Sequence, residues 1–224
     1  MSNNRQKKPF LNNGTQMMNK YFVSFAIALS TVSTAYAQGT VIKGMDFGPL
    51  AKLAGTWRTV AAGGLDVAPG QVGSKVGTGN PAVEPYYEQL TFEPAADATN
   101  ASDQHLVAMA YTLQVFRKRD NKQFHDQRGY LIYDKKNQTV YDSFCIPRAV
   151  CVVAEGKAGD QMTLTSQSKG VAESQYMLKN DATSVFSITF DMTGDTLKYA
   201  QKTQLHVYGK SFTHVDSSAL SKAS

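Results

Sequence analysis

Histidine and cysteine are the side chains best suited to bind or transform a ligand, and this 224-residue chain has only four of the first and two of the second. His214 stands in "SFTHVDSSALSK", where a run of alternating residues meets Asp216, a residue suited to cap a short terminal helix. At that junction an imidazole either sits in solvent as a cap residue or points a nitrogen into a cavity. His125 lies in "FHDQRGYLIYD", just before a stretch with strand character. His206 shares a face with Lys198 and Lys202 and reads as solvated, while His105 opens a strand without a partner in sequence. No two histidines have metal-ligand spacing, which argues against a zinc site. No Gly-x-Ser-x-Gly elbow is present for nucleophilic hydrolysis. "GTGNP" (77–81) is followed by no helical pattern, so it is a loop fragment rather than a phosphate cradle.

The two cysteines, Cys145 and Cys151, fall in "CIPRAVC". A single extended strand would hold them roughly 20 Å apart at about 3.3 Å per residue, too far to bond. A reverse turn at Pro147-Arg148 would instead bring them face to face, so at this level the pairing stays open. The spacing is not Cys-x-x-Cys, which argues against a redox catalyst.

From Trp57 onward, short runs of period two alternate with turn chemistry. "VFSITFDM" puts Phe186, Ile188, Phe190 and Met192 on one face. In "TLKYAQKTQLHVY", Leu197, Tyr199, Leu205 and Val207 share a face opposite Lys198, Lys202 and His206. "RDNKQ", "DKKNQ", "EGKAGD", "KND" and "TGD" are turns, and the basic run "RKRDNK" (117–122) reads as a solvated hairpin tip. Strands at this spacing, without intervening helical patterns, predict an all-β antiparallel fold. Closing the sheet into an up-and-down barrel of roughly ten strands removes its exposed edges. Short helices are expected at 47–55 ("FGPLAKLAG") and at the C-terminus over 216–222 ("DSSALSK"). The Gly- and Pro-rich stretch 61–85 reads as a long irregular loop over one end, of the kind that often serves as a lid.

The first 37 residues have the marks of a secretory signal peptide: Lys20, an apolar run from Tyr21 to Leu29, and Ala35-Tyr36-Ala37 before a cut at Gln38. The polar segment ahead of it suggests that translation starts at Met17 or Met18; a retained anchor is the alternative. Residues 38–224 then form a single domain, large enough for a sizeable core. Of 23 basic residues, Arg5, Lys7, Lys8 and Lys20 belong to the leader, leaving 19 against 18 acidic ones. A near-neutral domain lacks the clustered Lys/Arg that nucleic acid requires. No stable membrane span is expected after cleavage, and no lipobox cysteine stands near the cut, so the periplasm is the expected compartment, with secretion beyond it open.

Four stretches in this order, "LAGTWRT" (53–59), "FHDQRGYLIYD" (124–134), "IPRAVCVVAEG" (146–156) and "DTLKYAQKTQLHVYGKSFTHVDSSALSK" (195–222), resemble the nitrobindin-like heme-binding β-barrel family, whose bacterial members are often called fatty-acid-binding-protein-like. The resemblance spans about Phe47 to Lys222. It implies a ten-stranded antiparallel barrel with ferric heme b in an open pocket near one end. His214 matches the family's axial iron ligand; His125 matches the distal histidine, with Gly129 and Tyr130 in step. Family members isomerise peroxynitrite to nitrate, and some bind nitric oxide. The chain departs from the family pattern after Trp57, where "GTWRTVAAGGLDVAPGQ" has no counterpart of the threonine that lies against heme. It is similar to a sister group marked by "GLD.AP", "FHDQ.GY" and "IPR".

Under that resemblance, neutral imidazole is a good iron ligand, and one axial histidine leaves a sixth position for reaction. Arg128 and Arg148 are the candidates to pair with heme propionates or an anionic substrate. The rival reading is a binding protein for a fatty acid or other apolar small molecule, with His214 capping the pocket. A third is a packed barrel without ligand. An interior filled by Met109, Leu113, Phe186, Ile188 and Phe190 would mark the packed barrel, and a cavity on the order of several hundred Å³ a binding one.

Overall fold

The structure, a computed structural model, describes residues 39–223. The signal peptide expected over residues 1–37 lies outside them. A two-residue-stranded hairpin, β1 (Val41–Ile42) with β2 (Met45–Asp46), leads into a 3-10 helix, Gly48–Leu53. The helix expected at 47–55 is therefore present. Its Leu50, Ala51 and Leu53 are buried together with Phe47, so it plugs one end of the strand wall. The entry is tight: Gly48 has φ +53°, and a Cβ there would fall 2.5 Å from a ring carbon of Tyr133. Trp57 Nε1 donates to the Leu53 carbonyl at 2.7 Å and ties the plug to the wall.

That wall is a closed antiparallel barrel of ten strands. β3 (Gly55–Thr59) and β4 (Gly64–Pro69) share one position in it, since both pair with β5 on one side and β13 on the other. The remaining nine come in order, each paired with the next: β5 (Pro81–Thr99), β6 (His105–Arg117), β7 (Gln123–Asp134), β8 (Thr139–Ile146), β9 (Val150–Lys157), β10 (Gln161–Glu173), β11 (Asp181–Asp191), β12 (Thr196–Val207) and β13 (Lys210–Lys222). Up-and-down order needs only short turns, and "RKRDNK", read as a hairpin tip, joins β6 to β7. A single helix, α1 (Gln175–Asn180), interrupts the series; the Ser174 hydroxyl caps it by accepting from the Met177 amide. No helix among the described residues is long and apolar enough to cross a membrane.

Two expectations are corrected. The C-terminal segment is strand, not helix: β13 runs through Lys222 and pairs with β12, β3 and β4. Asp216 was suited to cap a helix by local preference, but the wall needed a strand between β12 and β3/β4, and period two places Asp216, Ser218 and Leu220 on the inner side. The second short helix is α1 instead. The 61–85 stretch is only partly irregular, because Gly64–Pro69 forms β4 and β5 begins at Pro81, leaving 70–80 as loop.

The predicted faces of β11 and β12 hold, with Phe186, Ile188, Phe190, Met192, Leu197, Tyr199 and Val207 buried. Met109 and Leu113 join them, and the centre of the barrel keeps a void of only about 20 Å³. That is room for about one water molecule. Among the described residues, that void is too small for an acyl chain.

Candidate functional site

The end opposite the plug is built differently. The β7–β8 ladder stops at Arg128 opposite Cys145, so residues 123–127 of β7 have no β8 partner. β8 turns back instead through Pro147-Arg148-Ala149, with Ala149 left-handed at φ +58°. Between these segments lies a cavity of about 320 Å³, lined by Gln123, Phe124, His125, Asp126, Ile146, Pro147 and Arg148. The turn is clamped at its base. Cys145 and Cys151 face each other across β8 and β9 and form a disulfide, which closes the question the sequence left open.

At the same end of the barrel, β4 and β13 bring three titratable groups together, none of which lines that cavity. Asp66 pairs in register with Asp216, and His214 lies two residues along the same inward face. His214 Nε2 is 2.5 Å from Asp66 Oδ1 and 3.4 Å from Asp216 Oδ2. Asp66 is buried, and His214 is partly exposed. Nδ1 of His214 has no hydrogen-bond partner among the described residues. Burial alone would disfavour the imidazolium, but the Asp66 hydrogen bond and the charges of Asp216 and Asp66 outweigh it and raise the pKa of His214. Asp216 is pushed up to about 7, chiefly by burial and further by Asp66, with His214 pulling the other way.

His125 faces inward at the start of β7. Burial lowers its pKa and the charges of Arg148 and His214 lower it further, against the opposing pull of the Gln127 hydrogen bond. Behind it runs a buried polar chain. The His125 ring is 3.4 Å from Gln127 Oε1, Gln127 Nε2 donates to the Tyr111 hydroxyl at 2.6 Å, and Tyr111 donates to Asp142 Oδ1 at 2.9 Å. On the β12 side, Tyr199 donates to Glu88 Oε2 at 2.7 Å and contacts the Tyr86 hydroxyl at 2.9 Å. Burial raises both acids, Asp142 and Glu88, to about 7, although Tyr111 works against it at the first and Ser218 and Tyr199 at the second.

Of the four residues singled out in sequence, the structure brings three to one region. His214, His125 and Arg148 lie near enough that Arg148 and His214 both disfavour charge on His125. Arg148 forms no ion pair among the described residues. Arg128 is different: its exposed guanidinium is held by Asp126 at 3.0 Å on the outer face. His206 is exposed as read, and His105, also exposed, contacts Asp97 at 3.2 Å. Sequence reasoning missed Asp66 and Asp216 as site residues. The available signal was the "GLD" element itself, a carboxylate in a stretch otherwise made of small and apolar residues.

The model of a family described as THAP4-like, heme-binding beta-barrel domain matches residues 46–222. Among solved structures, the crystal structure of Rv2717c from M. tuberculosis is similar, with a TM-score of 0.55 and 17% identity over 78% of this chain and 95% of that one. At that identity the likeness is one of fold. Among curated proteins, no relative matches the chain.

Proposed function

Because the chain belongs to the THAP4-like heme-binding β-barrel family, whose domains are barrel ligand-binding modules, we propose that it binds ferric heme b at the open end, with His214 as the axial ligand. The observation that carries this reading is the state of His214: one ring nitrogen is anchored on a buried carboxylate and the other is left without a partner. A metal-ligating histidine commonly has this form, with its second nitrogen donating to a carboxylate.

The other residues present fit the group. His125 presents an imidazole to the cavity, able to donate to a small bound anion. Arg148 offers an unpaired guanidinium at the cavity rim for a propionate, whereas Arg128 is already committed to Asp126. Phe124, Ile146 and Pro147 supply apolar surface at the same place. The packed barrel centre disfavours the fatty-acid alternative, which needs an interior chamber.

When bound, ferric heme supplies a Lewis-acid centre for nitric oxide or peroxynitrite, and peroxynitrite isomerisation is the reaction implied by the resemblance. The chain's part would be to hold the iron through His214 and to place the His125 imidazole toward the bound anion, with Arg148 reserved for a propionate. We place this activity in the periplasm. The leader-like first 37 residues and the Cys145–Cys151 disulfide support export, since disulfides persist in oxidising compartments.

The test is the Soret spectrum of the purified protein with one equivalent of ferric heme, beside that of His214→Ala. A sharp band, lost or shifted in the variant, is the expected result. A broad band like free hemin, identical in both proteins, would sink the heme reading.

A further inference from the structure

We propose that Asp66 is a positioning residue for His214, fixing which nitrogen faces the ligand and making the imidazole a stronger electron donor; this rests on the heme reading above. The geometry is built by the wall itself. Asp66 sits on β4 opposite Asp216 of β13, so its carboxylate reaches diagonally across the ladder to the ring of His214, two residues away. The contact, at 2.5 Å, is the short one of the pair; Asp216 stands off at 3.4 Å.

Hydrogen-bond chemistry gives this contact three consequences. A carboxylate is an acceptor only, so the ring nitrogen facing it must carry the proton. In the neutral ring the lone pair then resides on Nδ1, the nitrogen without a protein partner. A carboxylate accepting the proton also gives the ring partial imidazolate character, which raises its basicity as a ligand. An electron-rich axial ligand favours the ferric over the ferrous state. The residue comes from the "GLD" element, in the segment that departs from the family pattern after Trp57.

The experiment compares wild type, Asp66→Asn, Asp66→Glu and Asp216→Asn, each loaded with heme. The readouts are the one-electron ferric/ferrous midpoint potential and the iron–histidine stretching frequency of the ferrous form by resonance Raman. In Asp66→Asn the potential is expected to rise by about 59 mV, a tenfold loss of ferric preference, and the stretch to fall. Asp66→Glu keeps a carboxylate and is expected to recover part of both, which separates the charge effect from misfolding. Asp216→Asn is expected to shift either quantity less. Heme binding with unchanged potential and stretch in Asp66→Asn would overturn the assignment of Asp66 while leaving the heme reading intact. If wild type fails to give a sharp Soret band, both fall together. A ligand-independent check is the downfield imidazole N–H proton of His214 in the protein without heme. It is expected in wild type and moved upfield in Asp66→Asn, whose amide oxygen is the weaker acceptor; its absence from wild type would overturn the hydrogen bond itself.

Discussion

The two ends of the barrel are built with opposite chemistry. At the plugged end, Phe47, Leu50, Ala51 and Leu53 fill the opening, and two ion pairs, Lys52–Asp160 and Lys135–Asp46, each 2.7 Å, stay outside. At the open end, the charged and titratable groups are themselves inside: Asp66, His214, Asp216 and His125, with Glu88 and Asp142 farther in. Burying apolar area stabilises by about 25 cal/mol per Å², whereas burying an ionisable group costs stability unless it is paired. Two buried polar atoms, Glu88 Oε1 and Ser218 Oγ, lack even a well-formed partner among the described residues. One end holds the fold together; the other gives up stability to bury a set of titratable groups.

The largest expected effect sharpens that contrast from inside the barrel. Asp142 is fully enclosed, and burial lifts its pKa from the ordinary 3.8 to about 7. A folded-state value above the unfolded one means that the stability is fully present below about pH 4 and is lost as pH rises through 7. At 1.36 kcal/mol per unit, the loss for this group is roughly 4 kcal/mol by pH 8. Glu88 and Asp216, also raised to about 7, act in the same direction. Asp142→Asn keeps an oxygen to accept from Tyr111 and removes the charge. Urea unfolding at pH 4 and pH 8 should therefore show a clearly shallower pH dependence in the variant, with the variant the more stable protein at pH 8. Equal slopes in the two proteins would mean that the interior polar chain costs nothing.

A slightly smaller effect is expected at the plug. Leu50 is completely buried, and Leu50→Ala removes its packing in the apolar core, for a loss of about 3 kcal/mol. His125→Ala, at the edge of the open cavity, should lower the urea midpoint much less, since the space it leaves is continuous with solvent. If both substitutions destabilise alike, the division of labour between the ends is wrong.

The plugged end was the more legible of the two in the sequence. "FGPLAKLAG" announced its helix, and "VFSITFDM" and "TLKYAQKTQLHVY" announced their faces, because large apolar residues at period two leave one consistent solution. The open end was read by residue type at His214, His125 and Arg148, but its framework was not. "DSSALSK" is made of residues depleted from strands, and Asp216 carries a strong local preference for a helix cap. Only pairing with β12 and with β3 and β4 makes it a wall strand. Asp66 was hidden for a related reason: glycine and proline around it signal a loop, while its neighbours on β5 and β13 supply the strand. Asp142 left a usable trace, a carboxylate between Val140 and Phe144 on the buried face of "TVYDSFCI". A polar residue that interrupts an apolar face is where local patterning gives way to function.

The smallest effect concerns the clamp on the cavity. Cys145 and Cys151 close a loop only six residues apart, and short loops lose little chain entropy when joined, so the disulfide is expected to contribute roughly 2 kcal/mol. The β8–β9 ladder runs from Thr139–Lys157 to Ile146–Val150, passing through the cysteine pair, so the strands stay registered without it. Replacing both cysteines with serine should therefore leave the barrel folded and loosen the turn that carries Ile146, Pro147 and Arg148, one whole side of the cavity. Hydrogen exchange would report this as faster exchange at 146–153, with unchanged protection at the plug around Leu50 and Trp57. Acceleration at the plug as well would show that the two ends unfold as one unit. The separation drawn between them would then hold for their chemistry but not for their stability.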